Sequence, residues 1–241
     1  MNQKERGRFV VFEGLDCSGS STQANLLYER LISIGRRAWL TSEPSSGPFG
    51  QLIRLFFSGR VVLPPERETR DQQFAFAFAA DRFDHLHNPT NGVIKHLGEG
   101  IDSICTRYVL SSMAYNVETP KEEEVVQRLN QGFPEPDFLI YLDCPVDLSI
   151  RRMDAARATR DTYENVTKLT AVYENYRRAV HEYSGRKLIV DASLSREHIA
   201  DLVFDFTSQS TKLQPMLFDL AASRFDAVGR LKLGHEAATG K

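Results

Sequence analysis

The chain has 241 residues, a formal net charge of −2 and 41% hydrophobic residues. This length is near the upper limit for one hydrophobic core, and no proline- and serine-rich linker divides it, so we expect one globular domain. The near-neutral charge provides no basic field for nucleic acid, and no run of about 18 apolar residues indicates a membrane span. Residues 1–8 lack a signal pattern and the three cysteines lack metal-ligand spacing, which favours reduced thiols in the cytoplasm.

The N-terminal segment predicts a strand, a glycine turn and a helix in direct succession. Residues 8–12 are rich in β-branched and aromatic side chains, as in a buried strand. After the turn, apolar residues from Ala24 to Ile34 recur every three or four positions, which predicts a helix that stops at Gly35. A helix that begins directly after such a turn directs several backbone N–H groups toward an anion.

Residues 14–21, here called the phosphate loop, match a nucleotide-binding pattern except at its lysine. Gly14 and Gly19 occupy the two glycine positions of G-x-x-x-x-G-K-[ST], and Ser21 occupies the position whose hydroxyl binds Mg²⁺. Ser20 stands where the pattern has lysine. Without the lysine, an ordinary strand-turn-helix connection remains an open alternative. The residues expected to bind nucleotide phosphates are Gly14, Cys17, Ser18, Gly19, Ser20, Ser21 and Thr22.

Strands and helices alternate along the rest of the chain. This order predicts an α/β fold with a parallel sheet flanked by helices. The further predicted strands are 37–41, 101–105, 138–142 and 187–190. The further predicted helices are 51–57, 71–87, 148–160, 166–183 and 196–206. Residues after 208 form a tail of mixed composition, whose end we expect to be loosely ordered.

Five motifs and an arginine-rich stretch occur in a defined order along residues 9–206. They are FEGLD at 12–16, SEP at 42–44, FAADR at 78–82, RYVLSSMAYN at 107–116, PDFLIYLD at 136–143 and the arginines of 151–160. In this order they resemble thymidylate kinases, the P-loop kinases that phosphorylate dTMP. The resemblance implies a P-loop NTPase-type sheet with nucleoside monophosphate kinase architecture. It also implies one kinase domain over residues 1–208, a lid at about 151–164 and a partly loose extension over 209–241.

The resemblance implies roles for two residues of the FAADR motif. Phe78 would stack on the thymine ring, a contact that requires a flat aromatic face. Arg82 would hold the acceptor phosphate, because its planar fork fits two phosphate oxygens. The open alternatives are core packing for Phe78 and a structural pair with Asp81 or Asp84 for Arg82.

The same resemblance implies contacts to the sugar and to the edge of the base. Asp16 would accept the sugar 3′-hydroxyl and orient Arg107. Ser112 would face the base, and Tyr115 would crowd the ribose 2′ position and so favour a deoxynucleotide. Asn116, the last residue of the RYVLSSMAYN motif, would also contact the substrate. Plain packing roles remain the alternative for Ser112 and Tyr115.

On the donor side the sequence departs from the family at three positions. Ser20 replaces the lysine, Thr106 replaces the aspartate of the D-R-Y motif, and Ser42 stands where many members have arginine. Phosphoryl transfer depends on positive charge around the transferred group, and losing one preorganised charge costs on the order of 10² to 10³ in rate. Loss of the lysine at position 20 together with the aspartate at position 106 roughly preserves the local charge, which suggests a coordinated change rather than decay.

The arginines of the predicted lid offer compensation for these losses. The resemblance implies that one or more of them closes over the donor phosphates as an arginine finger, with Arg157 and Arg160 preferred. The alternative is a solvated helix face paired with Asp154 and Asp161. The predicted catalytic residues are Asp16, Arg107, Arg157 and Arg160. Ser21 is the predicted Mg²⁺ ligand, with Glu13 or Asp143 as further candidates.

Two functional hypotheses remain open at this point. The first is an enzyme that converts ATP and dTMP to ADP and dTDP with Mg²⁺, at a full or a reduced rate. The second is a catalytically silent relative that binds nucleotide and acts as a regulatory partner. The well-kept acceptor motifs favour the enzyme. The family also implies a cytoplasmic homodimer, to which the apolar helix segment 74–80 would contribute, and neither nucleic acid nor membrane is an expected partner.

Overall fold

A five-stranded sheet forms the centre of the protein, a computed structural model that describes residues 5–156 and 163–209. The strands are β1 (Phe9–Gly14), β2 (Ala38–Ser42), β3 (Asp102–Thr106), β4 (Phe138–Asp143) and β5 (Lys187–Asp191). Their spatial order is β2-β3-β1-β4-β5, and all four neighbouring pairs are parallel. The predicted α/β class with a parallel sheet is confirmed.

Helices occupy both faces of this sheet. In the described residues they are α1 (Ser20–Ser33), α2 (Pro48–Phe57), α3 (Arg67–His87), α4 (Val93–Gly98), α5 (Val109–Tyr115), α6 (Pro120–Asn130), α7 (Val146–Ala156), α8 (Tyr163–Glu182) and α9 (Arg196–Ser208). Three of them, α4, α5 and α6, were not predicted. The first two are too short for a clear 3.6-residue period, and α6 buries only Glu122 and Val126.

Side chains of β1 alternate between two hydrophobic layers. Val10 and Phe12 pack toward the layer that contains Leu27 of α1 and Val203 of α9. Phe9 and its neighbour Val11 pack on the opposite face, in the layer that contains residues of α3 and α4. Because both faces are covered, the strand is apolar from Phe9 to Phe12, as is usual for a parallel sheet.

The carboxyl ends of the parallel strands meet at one edge of the sheet. The phosphate loop follows β1 at this edge, and Arg107 follows β3. Ligands of open α/β sheets bind beyond these carboxyl ends, so we expect a ligand site at this edge. Among the helices that the structure describes, none has the length and apolar character needed to cross a membrane.

Candidate active site

The phosphate loop has the backbone conformation of an anion-binding turn. Gly14 has φ 152°, Cys17 has φ 59° and Gly19, the N-cap of α1, has φ 104°. A Cβ atom on Gly14 would lie 2.7 Å from the Ser18 Oγ atom and 2.9 Å from the Leu142 carbonyl oxygen. Glycine is therefore required at position 14 both for its dihedral angle and for space.

The predicted phosphate-binding side chains differ in their accessibility. Cys17, Ser21 and Thr22 are exposed, and Ser20 is partly exposed. The Ser18 side chain is buried, and its hydroxyl has no hydrogen-bond partner within the described residues. The exposed hydroxyl of Ser21 lies in the first turn of α1, where an oxygen ligand for Mg²⁺ can be offered to bound phosphates.

Glu13 organises the start of α5 instead of facing a metal site. Its Oε1 atom accepts from the backbone N–H groups of Tyr108 (2.9 Å) and Ser111 (3.2 Å). Its Oε2 atom accepts from the Ser111 hydroxyl (2.6 Å) and the Tyr176 hydroxyl (3.1 Å). Burial raises the pKa of the Glu13 carboxyl, and the hydrogen bonds from Ser111 partly offset this effect. Both oxygens are thus engaged internally, which argues against Glu13 as a Mg²⁺ ligand.

Asp143, at the end of β4, interacts with two side chains of α8. Burial raises the pKa of its carboxyl, while a hydrogen bond from Tyr173 and the charge of Arg177 lower it. Tyr173 and Arg177 belong to α8, so Asp143 is oriented toward that helix. Within the residues described, no group of three or more histidine, cysteine or acidic side chains is arranged to hold a metal ion. Of the three candidates, Ser21 is the one whose side chain is exposed at the phosphate loop, and it stays the predicted Mg²⁺ ligand.

Arg107 connects the phosphate loop to the RYVLSSMAYN motif. Its Nη2 atom donates to Asp16 Oδ1 (2.7 Å) and to the Tyr115 hydroxyl (3.3 Å), and its guanidinium lies 4.8 Å from the centre of the Tyr115 ring. Arg107 has φ 68°, and its backbone N–H donates to the Phe12 carbonyl at 2.8 Å. The expected pairing of Asp16 with Arg107 is present, and it places the Arg107 side chain beside the phosphate loop, to which Asp16 belongs.

Arg82 is buried, and protein groups engage its whole guanidinium. Its Nε and Nη2 atoms donate to Glu43 Oε2 at 2.9 and 2.6 Å. Nη1 and Nη2 each lie 3.2 Å from Ser112 Oγ, and Nη1 also donates to Asn130 Oδ1. These five contacts account for all five N–H groups of an arginine side chain.

The partner of Arg82 differs from the structural alternative considered above. Asp81 accepts from the backbone N–H of Ser45 (2.7 Å) and from its hydroxyl (2.6 Å), so Asp81 holds the loop after β2. The ion pair of Arg82 is with Glu43, and both side chains are 1% exposed. Glu43 belongs to the SEP motif, but the residues next to it in the sequence do not indicate that its side chain would contact α3.

One cavity of about 280 Å³ opens at the carboxyl edge of the sheet. All seven predicted substrate-binding residues line it: Asp16, Phe78, Arg82, Arg107, Ser112, Tyr115 and Asn116. The Phe78 ring lies 6.5 Å from the Phe74 ring and 6.4 Å from the Phe57 ring, measured between centroids. These three rings form an apolar wall of what we call the acceptor cavity, while Arg82, Arg107 and Asp16 supply polar walls.

Sequence reasoning missed several groups that line the acceptor cavity. Arg70 and Asp71 come from the start of α3, and Lys168 reaches it from α8. Asp71 accepts a hydrogen bond from Arg67 (3.1 Å), while Lys168 is exposed. Helix periodicity predicted the elements that carry these residues, but it could not predict which of them would meet the cavity.

Comparison with known proteins identifies the family. The model of the family described as thymidylate kinase matches residues 12–203. The chain belongs to the thymidylate kinase family. It is 35% identical to a Pyrococcus abyssi protein named "Probable thymidylate kinase", over 80% of this chain and 92% of the relative. It is also 32% identical to a thymidylate kinase of Bradyrhizobium sp. (strain ORS 278), over 83% of this chain and 89% of the relative.

Two of the three departures from the thymidylate kinase motifs are neighbours in the sheet. Ser42 at the end of β2 pairs in register with Thr106 at the end of β3, and the Glu43 N–H donates to the Thr106 carbonyl at 2.9 Å. Because residues paired in register are neighbours on the sheet, the arginine and the aspartate that the resemblance implies at these positions would lie side by side as a pair of opposite charges.

The predicted lid is only partly described. Arg157 and Arg160 lie outside the described residues, as does most of the lid stretch that follows α7. Arg151 is exposed and pairs with Asp147 on the same helix at 2.9 Å. Arg152 instead points toward the phosphate loop, with its Nη1 atom 3.0 Å from the Ser18 carbonyl oxygen.

Proposed function

We propose that this protein transfers the γ-phosphoryl group of ATP to dTMP, giving ADP and dTDP, with Mg²⁺ as cofactor. Its membership in the thymidylate kinase family supports the reaction class. The observation that carries the substrate proposal is the acceptor cavity, which joins every predicted substrate residue to the phosphate loop through the Arg107–Asp16 pair. A silent nucleotide-binding protein has no chemical need for this complete acceptor site.

The aromatic wall and Ser112 provide a basis for choosing the base. Phe78 offers its ring face to a pyrimidine, supported by Phe74 and Phe57. Because Ser112 Oγ accepts from two nitrogens of Arg82, its O–H is the group left to donate to a ligand. A carbonyl of thymine accepts such a bond, whereas the 4-amino group of cytosine does not. We therefore expect dTMP to be used in preference to dCMP.

Arg107, rather than Arg82, is the better candidate for the acceptor phosphate. The charge of Arg82 is compensated by the buried Glu43 carboxylate, and its N–H groups are all engaged. A phosphate dianion at Arg82 would have to displace those partners. Arg107 lies next to the phosphate loop, where the attacking oxygen of dTMP must come into line with the γ-phosphate of ATP. The family resemblance implied that Arg82 holds the acceptor phosphate. In this proposal Arg82 instead holds Ser112 beside the base.

On the donor side, backbone N–H groups of the phosphate loop and the N-terminus of α1 would bind the phosphates of ATP. Ser21 would hold Mg²⁺, which neutralises negative charge on the phosphate oxygens when bound. Asp16 would accept a hydrogen bond from the sugar 3′-hydroxyl while keeping Arg107 in place. Arg157 and Arg160 remain proposed lid residues that close over the donor and exclude water.

The decisive experiment is a nucleotide-panel assay with purified protein and MgATP. Formation of dTDP and ADP with dTMP, above a blank without acceptor, is the expected result. The panel includes dUMP, dCMP, dGMP and UMP, and Arg107→Gln serves as the inactive control. Absence of transfer to every acceptor, together with retained ATP binding, would establish the silent alternative instead.

We further propose that the protein acts in the cytoplasm as a homodimer formed through α2 and α3. These helices pack on each other and expose apolar side chains at Phe49, Leu52, Leu55, Phe76 and Phe83. A second copy offers the same apolar surface, which a two-fold symmetric interface requires. Sedimentation of Phe76→Glu/Phe83→Glu should show a monomer. The control Ile34→Glu changes an exposed apolar residue at the C-cap of α1 and should leave the dimer intact.

A further inference from the structure

Two side chains of helix α7 contact three backbone carbonyl groups of the phosphate loop. The Ser149 hydroxyl donates to the Asp16 carbonyl at 2.7 Å. The Nη1 atom of Arg152 donates to the Ser18 carbonyl at 3.0 Å and approaches the Cys17 carbonyl at 3.4 Å. The Nη2 atom of Arg152 donates to the Ala192 carbonyl at 2.8 Å, so one guanidinium ties the loop to the segment between β5 and α9.

These contacts set the direction of backbone N–H groups that would meet the phosphates. The peptide group is planar and trans, so a carbonyl that points toward α7 directs the N–H of the same peptide away from it. The carbonyls of Asp16 and Ser18 are held in this way, which directs the N–H groups of Cys17 and Gly19 away from the helix. Between them, the Ser18 N–H closes a turn with the Leu15 carbonyl at 3.1 Å.

The charge of Arg152 also matters because position 20 is a serine. A cation bonded to peptide carbonyls polarises those peptides and makes their N–H groups better donors to an anion. It also contributes positive potential to the loop, whose lysine position is occupied by the neutral Ser20. Arg152 thus supplies both a fixed backbone geometry and positive charge.

We propose that Arg152 is a positioning residue that preorganises the phosphate loop and replaces part of the field of the missing lysine. This inference rests on the proposed use of the loop for the phosphates of ATP. Arg152 acts through the loop backbone, so it differs from a lid arginine that touches the transferred phosphoryl group. Its neighbour Arg151 has the same charge and lies on the same helix, but it pairs with Asp147 at the surface. Arg151 is therefore a matched control.

The first experiment compares Arg152→Gln with Arg151→Gln by calorimetric titration with MgADP and, separately, with dTMP. We expect Arg152→Gln to weaken MgADP binding about tenfold or more, because small misplacements of a preorganised site are costly. Its affinity for dTMP and its melting temperature should stay close to those of Arg151→Gln. Equal MgADP affinities of the two variants would overturn the proposal. An equal loss of MgADP and dTMP affinity would do so as well, since it indicates general structural damage.

A double-mutant cycle with Ser20→Lys tests the electrostatic part of the proposal. If Arg152 replaces some of the lysine field, Arg152→Gln should weaken MgADP binding less in the Ser20→Lys background than in the natural sequence. An equal loss of MgADP affinity in both backgrounds would mean that Arg152 acts only by fixing the loop backbone. It would overturn the proposal that Arg152 replaces part of the electrostatic field of a lysine. Because MgADP binding does not require turnover, the result is distinguishable from failure of the kinase proposal, which the nucleotide panel alone decides.

Discussion

At the scale of single residues, Tyr115 shows how one side chain can serve two purposes. Its hydroxyl lies 3.4 Å from Asp16 Oδ2 and accepts from Arg107 Nη2 at 3.3 Å. Its ring lines the acceptor cavity at the proposed position of the sugar. The hydroxyl therefore holds Asp16 and Arg107, the proposed catalytic pair, while the ring would restrict the space around the bound sugar.

The two roles can be separated by substitution. Tyr115→Phe removes the hydroxyl contacts and keeps the ring, so we expect kcat/KM for dTMP to fall about tenfold with deoxynucleotide preference retained. Tyr115→Ala opens the space beside the sugar and should reduce the preference for dTMP over ribothymidine monophosphate. Steady-state kinetics with both nucleotides measures this difference. Identical selectivity in the two variants would show that the ring does not discriminate at the 2′ position.

The register pairing of Ser42 with Thr106 gives a second prediction. Thr106→Asp alone places a carboxylate at the end of β3 close to the backbone of Glu43, and we expect it to destabilise the protein. Adding Ser42→Arg supplies the opposite charge and should recover stability, with a coupling of at least about 1 kcal/mol between the two changes. Urea denaturation of both single variants and the double variant measures it. Additive effects would mean that the two positions are independent.

At the scale of elements, Asp102 ties together the amino ends of three strands. Asp102 begins β3 and is completely buried, and its carboxylate accepts from the side chain of Arg8, which precedes β1, at 2.6 Å. It also accepts from Arg36, which precedes β2, at 2.8 Å. Burial raises the pKa of the Asp102 carboxyl, but hydrogen bonds from Arg8 and Arg36 outweigh it and hold the pKa below its ordinary value of 3.8.

Removal of the Asp102 charge should destabilise the folded protein, because Arg8 and Arg36 would lose a buried partner. We expect Asp102→Asn to lower the free energy of unfolding by about 3 kcal/mol or more at pH 7. Since the folded pKa is depressed, the stabilisation is present above pH 3.8 and is lost as the pH falls through the folded pKa. Asp102→Asn should therefore show a weaker loss of stability on acidification. The control Asp201→Asn breaks an exposed pair with Arg30 and should cost no more than about 1 kcal/mol.

At the scale of the whole molecule, the parallel sheet assembles the site from distant parts of the chain. Asp16 follows β1, Arg82 comes from α3, Arg107 follows β3 and Lys168 comes from α8, yet all four line one cavity. Parallel strands place their carboxyl ends at a common edge, so each crossover returns the chain to the same place. The acceptor cavity is a product of this topology.

The domain boundary provides a prediction at the same scale. All strands of the sheet, the acceptor cavity and the matched family region lie before residue 210. We therefore expect a chain ending at Gln209 to keep the melting temperature and the kcat of the full chain. Calorimetry and the dTMP kinase assay on both lengths measure this. A large loss of either property would show that residues 210–241 contribute to the kinase domain.

Much of the fold was predictable because local patterns and tertiary burial agree. All five predicted strands are present, including 101–105, which contains the polar residues Asp102 and Ser103, and the longer periodic segments form helices. Helix α6 was missed although Thr119 and Glu122 form a capping box at its start. Its few apolar residues gave no clear period, so the cap alone would have been the usable signal.

By itself, the sequence determined the parallel α/β class and predicted the phosphate loop and seven of the residues that line the acceptor cavity, because motifs and periodicity are local properties. The tertiary structure alone decided which charges meet. It paired Arg82 with Glu43, placed Ser42 beside Thr106 and set Arg152 behind the phosphate loop. Such contacts depend on strand register and helix packing between distant segments, so no local pattern of residues contains them.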